Sequence, residues 1–250
     1  MKIEIYANSH KGFIRWRNED AIFVNQEFIR DEERFFVIED IHEKVFMISV
    51  LDGIGGHRAG DVASELAGKV IAEKTTHLPK GMSIPQLEEQ VKKIMKETNE
   101  ILLQKGKENP EYENMGTTFT GVLNYYGEFF YVHVGDTRLY RIRDGNLLLI
   151  TEDHTLRNLT KNDFIPSNIL ANSLGTKNEI YFEMNQLSRR IFNDDVFLLC
   201  SDGFWEYLPE DFDFRLDMQA LGKELMKQIL PLSSDNVSCV FFRIKGVDNE

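Results

Sequence analysis

The sequence predicts a single layered α/β domain over residues 1–250. Strand-like patterns fill residues 3–50 and 117–151 and return near the C-terminus, whereas two long stretches between them repeat apolar residues at helical spacing. Neither an internal repeat nor a low-complexity tract interrupts this order, so the sequence suggests no linker between independent units. With 42% hydrophobic residues, a chain of this length can form a core that is covered on both sides.

The N-terminal part of the chain predicts four short strands. Residues 3–7 alternate like a first strand, and the run 21–24 comes directly after the acidic pair Glu19-Asp20. Taken alone, this pair is most simply a solvated turn. The apolar runs 35–38 and 45–50 flank a polar turn, and we expect them to form a hairpin.

The run 45–50 leads into the most informative stretch, Asp52-Gly53-Ile54-Gly55-Gly56. Its glycines permit positive φ and let the backbone approach whatever the carboxylate holds. A dinucleotide-binding loop would need a further glycine at Arg58, and no Gly-Lys-Ser/Thr sequence occurs. Because Asp52 repels a bare phosphate, the pattern indicates a cation that in turn binds phosphate. A turn in which Asp52 only hydrogen-bonds local amides is equally compatible with the isolated motif.

Two helices are predicted next, and both patterns indicate core rather than binding surface. Over residues 58–77 apolar residues recur at helical spacing, and small residues such as Ala63 and Ala67 allow close packing. Ser83 and Gln86 form the capping-box pattern that opens a second helix. A pair of amphipathic helices that covers a sheet face requires such stripes, so we assign them no function.

The C-terminal half returns to strand patterns. Residues 117–151 predict an antiparallel meander whose second strand ends at Gly135-Asp136. Residues 154–175 contain one short polar helix and are too few for a domain, so we expect a flap over a site. The remaining apolar patterns predict a strand at 195–200, a helix at 218–230 and a strand at 237–244.

Acidic residues recur at the ends of these predicted strands. They follow or precede apolar runs at Glu19, Asp20, Asp52, Asp136, Asp202 and Asp235. Gathered at one rim, these carboxylates would repel each other severely unless divalent cations neutralised them. All-oxygen ligation selects Mg²⁺ or Mn²⁺ over zinc. The sequence therefore predicts two hard divalent ions.

Charge and cysteine content limit the function classes. The net charge of −12 disfavours binding to nucleic acid and to anionic membranes. We find no run of about eighteen apolar residues and no signal-peptide pattern at the N-terminus. Cys200 and Cys239 lie in strand-like apolar runs. We therefore expect a cytoplasmic protein with two buried thiols. We also expect a monomer.

Nine short motifs together resemble one known family. They are Arg15 with Asn18-Glu19-Asp20, Asp52-Gly53-Ile54-Gly55-Gly56-His57, Ala63-Ser64, Met115-Gly116-Thr117-Thr118, Val134-Gly135-Asp136-Thr137-Arg138, Asp153-His154-Thr155, Ser173-Leu174-Gly175, Ser201-Asp202-Gly203-Phe204-Trp205 and Asp235-Asn236-Val237-Ser238. In this order they are similar to the metal-dependent serine/threonine protein phosphatases of type 2C, in their compact bacterial form. The resemblance covers almost the whole chain. It implies an α+β four-layer sandwich, with two packed antiparallel sheets and a pair of helices on each outer side.

The resemblance implies roles for the acidic residues at the metals. Asp52 would bridge two Mn²⁺ or Mg²⁺ ions, the Gly53 carbonyl would ligate one, and Asp202 and Asp235 would ligate the other. Asp136 resembles the family's ligand for a third, weaker divalent ion. Contacts through water are implied for Glu19 and Asp20.

The resemblance also implies a reaction. Arg15 would fork onto the substrate phosphate and neutralise its equatorial oxygens. A metal-bridging hydroxide would attack phosphorus in line, so no protein nucleophile is needed. Arg15, Asp52 and Asp202 are thus the predicted catalytic residues. The expected substrate is a phosphorylated protein, with a serine/threonine kinase as the other expected partner.

Two departures from the family pattern affect this prediction. Ile54 stands where some members carry a histidine proposed as general acid, so that role is empty here. The segment 154–175 is short for the bacterial family, and Asn172 occupies a position that is often basic. His57, His133 and His154 are ordinary candidates for capping or packing, and we nominate none as catalytic.

Two other functions remain open from the sequence. One is a catalytically dead family member that binds phosphoproteins as a regulator, although such a protein is expected to have lost one of Asp52, Asp202 and Asp235. The other is a metal-dependent hydrolase of small phosphate esters. Comparing phosphopeptides with nucleotides and sugar phosphates as substrates would separate these functions.

Overall fold

Two six-stranded antiparallel sheets form the centre of the molecule. The computed structural model describes residues 1–54, 59–187, 191–193 and 195–246. The strands are β1 (Lys2–His10), β2 (Ala21–Val24), β3 (Glu27–Ile29), β4 (Glu33–Ile38), β5 (Val45–Leu51), β6 (Gly53–Ile54), β7 (Gly116–Thr117), β8 (Phe119–Tyr125), β9 (Glu128–Val134), β10 (Arg138–Arg143), β11 (Asn146–Leu149), β12 (Glu183–Gln186), β13 (Val196–Cys200) and β14 (Val237–Lys245). The α-helices are α1 (Gly60–Thr76), α2 (Ile84–Glu108), α3 (Leu156–Thr160), α4 (Asp202–Trp205) and α5 (Met218–Ile229).

The strand order separates the chain into two sheets. Sheet I has the order β11-β10-β13-β14-β1-β4, and sheet II has the order β12-β9-β8-β5-β2-β3. The short strands β6 and β7 pair with each other beside the sheets. The first and last strands of the chain, β1 and β14, are antiparallel neighbours in sheet I, with Ile3 opposite Ile244. Residues near the two ends of the chain thereby lie side by side within sheet I.

The core has three apolar layers, which make the fold a four-layer sandwich. The apolar run of strand β5 is continuous because both faces of the strand are covered. Phe46, Ile48 and Val50 face the core between the sheets. Met47 and Leu51 of the same strand face the layer beneath α1 and α2. A third layer lies between sheet I and the helices α4 and α5. The predicted α+β sandwich is confirmed, with an unequal second helical layer because α4 has only four residues.

Helix packing follows the small residues expected from the sequence. The buried side of α1 includes Ala63, Ala67 and Gly68. A Cβ on Gly68 would lie 2.1 Å from the Phe23 ring, so the helix approaches β2 as closely as glycine allows. The predicted capping box at Ser83 is present. Among the described residues, we find no helix that is long and apolar enough to cross a membrane.

Two predicted strand connections are wrong. Residues 35–38 and 45–50 do not form a hairpin, because β4 pairs with β1 in sheet I and β5 pairs with β2 and β8 in sheet II. The predicted meander also divides, since β8 and β9 belong to sheet II and β10 and β11 to sheet I. A period-two pattern identifies a strand but carries no information on which of two stacked sheets it joins. The chain crosses between the sheets at Gly135-Asp136, where Gly135 has φ +106°.

Candidate active site

The strand ends that carry acidic residues meet at one edge of the sandwich. Asp52 follows β5 of sheet II, whereas Asp202 follows β13 of sheet I. They border a cavity of about 470 Å³ lined by Arg15, Trp16, Glu19, Asp52, Gly53, Ile54, Asp136, Asn168, Leu170, Asp202, Asp235 and Asn236. The structure thus brings together all but one of the residues predicted to bind metal or phosphate. The exception, Asp20, is not part of this lining.

Backbone contacts fix Asp52 and Gly53 at the cavity. The Asp52 amide donates to Thr118 Oγ1 at 2.9 Å, and the Asp52 carbonyl accepts from Thr117 Oγ1 and from the Thr118 amide, both at 2.9 Å. A Cβ on Gly53 would lie 2.1 Å from the Gly60 carbonyl oxygen, which explains why glycine follows the aspartate. The Met-Gly-Thr-Thr motif therefore acts by holding the Asp-Gly turn. Residues 55–58, which include His57, lie outside the described part of the chain.

Asp202 and Asp235 line the cavity at the same end of the antiparallel β13–β14 pair of sheet I, since one follows β13 and the other precedes β14. The Gly203 amide donates to Asp202 Oδ1 at 2.6 Å. The Asn236 amide donates to Asp235 Oδ1 at 2.8 Å, and Arg15 Nη2 donates to Asp235 Oδ2 at 2.5 Å. A Cβ on Gly203 would lie 2.1 Å from the Asn236 carbonyl oxygen, so the two turns are in close contact.

Glu19 and Asp20 occupy different environments although they are adjacent. Glu19 lines the cavity, and its carbonyl accepts from Ser64 Oγ at 2.6 Å. Asp20 is only 1% exposed and accepts a hydrogen bond from Ser201 Oγ at 2.8 Å. Arg30 Nε donates to the Asp20 carbonyl at 2.7 Å and so holds this turn against α1. A contact of Asp20 with metal through water stays a prediction.

Asp136 is held by Trp205 and Arg138, two motif residues for which the sequence predicted no role. Trp205 Nε1 donates to the Asp136 carbonyl at 2.9 Å. The guanidinium of Arg138 lies 3.3 Å from the centroid of the Trp205 ring and forms two hydrogen bonds with Asp153, of 2.9 and 2.7 Å. This chain of contacts fixes the turn where the backbone crosses between the sheets. Trp205 and Arg138 both lie inside recognised motifs, which is the signal that could have indicated their role.

The histidines near this turn have structural environments. His154 Nδ1 lies 3.2 Å from the Gly135 amide and 2.9 Å from Asn172 Nδ2. Since both neighbours are donors, Nδ1 is the acceptor and the ring is neutral with its proton on Nε2. Burial lowers the pKa of His133 to about 3 and that of His154 to about 4. Asn172 is buried and also donates to the Tyr181 carbonyl, so it supports His154 and does not line the cavity.

The segment 154–175 borders the cavity. It contains α3, and Leu170 pairs with Thr155 in an isolated bridge. Asn168 and Leu170 belong to the cavity lining. The position agrees with the expectation of a flap, and movement of the segment stays a prediction.

The carboxylates share an environment that opposes their ionisation. Burial raises the pKa of Asp52 well above its ordinary value, and the charge of Asp202 adds to this effect. Burial, with the neighbouring Asp235, raises the pKa of Asp202 to about 6. Burial and the charge of Asp202 raise the pKa of Asp136 to about 7. Negative charge in this cavity is therefore undercompensated, and a bound cation would stabilise the ionised carboxylates.

The donor set matches hard divalent cations in chemistry. The carboxylates of the lining and the Gly53 carbonyl offer oxygen atoms, the ligand type of Mg²⁺ and Mn²⁺. Within the described residues, however, no three His, Cys, Asp or Glu side chains are arranged as a compact metal-binding group. Asp235 has Arg15 as its counter-charge, and Asp202 bonds to the Gly203 amide. A cation at Asp235 would therefore share this carboxylate with Arg15 or replace Arg15 as its counter-charge.

Comparisons with solved structures support the same fold. The serine/threonine phosphatase of S. agalactiae superimposes with a TM-score of 0.80 at 22% identity, covering 97% of this chain and 100% of that one. The serine/threonine phosphatase PstP/Ppp of Mycobacterium tuberculosis gives a TM-score of 0.74 at 26% identity, covering 98% of this chain and 100% of that chain.

Sequence comparisons identify the family. The serine/threonine phosphatase stp of Listeria innocua is 28% identical over 212 residues, which cover 80% of this chain and 77% of that protein. The PstP sequence of M. tuberculosis is 30% identical over 82% of this chain, but this covers 37% of that longer protein. A family model described as protein phosphatase 2C matches residues 28–233. The chain therefore belongs to the protein phosphatase 2C family of metal-dependent serine/threonine protein phosphatases, as its motifs predicted.

Proposed function

We propose that the protein hydrolyses phosphoserine and phosphothreonine in phosphorylated proteins, with two Mn²⁺ or Mg²⁺ ions at the cavity described above. The observation that carries this proposal is the meeting of Asp52, Asp202 and Asp235 with Arg15 in one cavity. The family model begins at residue 28, so it does not include Arg15. The position of Arg15 at the cavity therefore supports the proposal independently of the match to the family model.

The proposed residue roles are those that the family resemblance implies, and the positions of the residues at the cavity support them. Asp52, at the end of β5 in sheet II, would be the ligand that the two ions share. The Gly53 carbonyl would hold one ion, and Asp202 and Asp235, beside β13 and β14 of sheet I, would hold the other. Asp136 would serve a third, weaker ion, and Glu19 and Asp20 would act through water. Such ions would supply activation of the attacking water and neutralisation of charge on the phosphoryl group.

Arg15 would bind the substrate phosphate. Its side chain is 49% exposed at the mouth of the cavity, where an incoming phosphoryl group can reach it. A guanidinium donates two parallel hydrogen bonds to phosphate oxygens, and it keeps its charge at all relevant pH values. We propose that Arg15 exchanges Asp235 for the phosphate when substrate and ions bind.

The two thiols are poorly suited to act as nucleophiles, and Ile54 cannot act as a general acid. Cys200 and Cys239 are fully buried, and burial raises the pKa of both thiols well above the ordinary value, so they are poor nucleophiles. Attack by water is then the route that the site supports. Ile54 lines the cavity and has no proton to give to the leaving serine or threonine oxygen.

One experiment tests the proposal directly. The purified protein is assayed with phosphoserine and phosphothreonine peptides, nucleotides and sugar phosphates, each with Mn²⁺, with Mg²⁺ and with chelator. We expect turnover of the peptides that requires metal. Full peptide turnover in chelator would contradict the metal assignment, and turnover of small esters alone would indicate a different hydrolase. No turnover of any substrate would indicate a phosphoprotein-binding regulator.

We further propose that residues 1–250 act as one cytoplasmic, monomeric domain opposing a serine/threonine kinase.

A further inference from the structure

The loop that carries Arg15 is fixed at both ends by one side chain. Asn236 Nδ2 donates to the Lys11 carbonyl at 2.8 Å and to the Arg17 carbonyl at 2.9 Å. Its Oδ1 accepts from the Glu19 amide at 2.8 Å. Gly12 adopts φ +76°, and a Cβ there would lie 2.4 Å from the Asp235 carbonyl oxygen. The backbone of the loop is therefore docked onto the residues beside Asp235.

Trp16 is exposed and yet held in place. Its side chain is 65% exposed, an unusual state for the largest apolar side chain. The guanidinium of Arg17 lies 4.0 Å from the centroid of the indole, and Arg17 in turn pairs with Asp61 at 2.8 Å. Phe13 and Ile14 are also exposed, but of these three residues only Trp16 lines the cavity. An indole braced in this way can offer a preorganised contact surface at small entropic cost.

The lining of the cavity combines acidic side chains with apolar ones. Its carboxylates and Arg15 suit the phosphoryl group and the metals, whereas the side chains of Trp16, Ile54 and Leu170 add apolar surface to the lining. The peptide neighbours of a phosphorylated residue that enters the cavity would come close to these apolar side chains. Apolar neighbours gain contact there, whereas acidic neighbours meet the charges of Glu19 and Asp235.

We infer that Trp16 is a specificity-determining residue that favours phosphorylated serine or threonine with an aromatic or large aliphatic residue next to it in the chain. The inference rests on the proposed phosphatase function and adds a substrate class to it. Stacking of an apolar side chain on an indole contributes about tenfold in binding. Since the contact is made equally before and during reaction, it acts on KM rather than on kcat.

The test compares three phosphopeptides that differ only at the residue beside the phosphothreonine: phenylalanine, alanine or glutamate. Their kcat and KM are measured in Mn²⁺ for the wild type, Trp16→Ala, Trp16→Phe and Phe35→Ala. Phe35 is a matched control because it is an aromatic residue, 48% exposed, on β4 and outside the cavity lining. For the wild type we expect kcat/KM to be about tenfold higher with phenylalanine than with alanine, and lowest with glutamate.

The variants separate recognition from a structural effect. Trp16→Ala should bring the phenylalanine-to-alanine ratio close to one through a higher KM, whereas Trp16→Phe should keep most of the ratio and Phe35→Ala all of it. Equal kcat/KM for the phenylalanine and alanine peptides in an active wild type would overturn the inference and leave the proposed function intact. A ratio that survives in Trp16→Ala would overturn it as well. A wild type inactive on all three peptides would overturn the proposed function and the inference together.

Discussion

Replacing Asp136 by asparagine should stabilise the metal-free protein. The side chain of Asp136 is 7% exposed, and its pKa is raised from the model-compound value of 3.8 to about 7, first by burial and then by the charge of Asp202. Asparagine has nearly the same shape and no charge. The hydrogen bond from Trp205 goes to the backbone carbonyl, so the substitution leaves it in place.

The sign and size of the effect follow from proton linkage. The folded state binds a proton at Asp136 more tightly than the unfolded state does. The stability that this proton gives is fully present below about pH 4 and is lost as the pH rises through the folded value of about 7. The difference in pKa corresponds to a loss on the order of 4 kcal/mol above pH 7. Because its neighbours relax and titrate together, we expect Asp136→Asn to recover about 2 kcal/mol at pH 7.5, or roughly 4–8 °C in Tm.

The assay is thermal unfolding in chelator at pH 5.0 and 7.5, with Asp163→Asn as a control at an exposed aspartate. Asp136→Asn should exceed the wild type in Tm at pH 7.5, by a margin that shrinks toward pH 5.0, and the control should match the wild type at both. An equal or lower Tm for Asp136→Asn at pH 7.5 would refute the reasoning that burial and the charge of Asp202 make an ionised Asp136 destabilising in the metal-free site. Mn²⁺ should raise the wild-type Tm more at pH 7.5 than at pH 5.0, because protons compete for the same carboxylates.

Three further predictions address catalysis. Asp202→Asn should lose most turnover of a phosphopeptide while its circular dichroism spectrum stays native, because the change weakens a metal ligand. Wild-type rates in this variant would show that Asp202 is only a turn residue. Arg15→Ala should mainly raise the KM for phosphopeptide in steady-state assays, and unchanged kcat and KM would place Arg15 outside the site. Ile54→His should raise hydrolysis of a phosphopeptide more than that of p-nitrophenyl phosphate, since a general acid contributes about 10²–10⁴-fold with a basic leaving group and little with a phenolate. Equal changes on both substrates, with metal content intact, would rule out a missing acid at this position.

The positions of the acidic residues could be predicted from the sequence because each lies next to an apolar strand. Asp52 ends a run that is buried on both faces, and such runs are visible without a structure. The sheet to which a strand belongs could not be predicted in this way. β4 and β5 are separated by only six residues, yet they lie in different sheets because the short helix Ile41–Glu43 carries the chain between them.

The supports of the site were less predictable than the acids themselves. Arg30 holds the Asp20 carbonyl and the Asp61 carbonyl, but its sequence neighbourhood is charged and irregular and gives no sign of this role. Asn236 lies in a recognised motif, but its contacts with Lys11 and Arg17 join residues more than 200 positions apart. Such contacts depend on which strands become neighbours, so a pattern read along one chain does not contain them.

The division of the site between the two sheets explains why its motifs are short and scattered. Sheet II provides Asp52 and Asp136, sheet I provides Asp202 and Asp235, and neither sheet holds the whole set. The spacing across the cavity is set by the apolar layer between the sheets, to which sheet II contributes Ile48 and Val50 and sheet I contributes Phe197 and Phe242. Each turn only needs to present one or two oxygen atoms in a fixed direction, which a strand end with an adjacent glycine can do. The close-packed core thus maintains the repulsive arrangement of carboxylates that the metals are proposed to relieve.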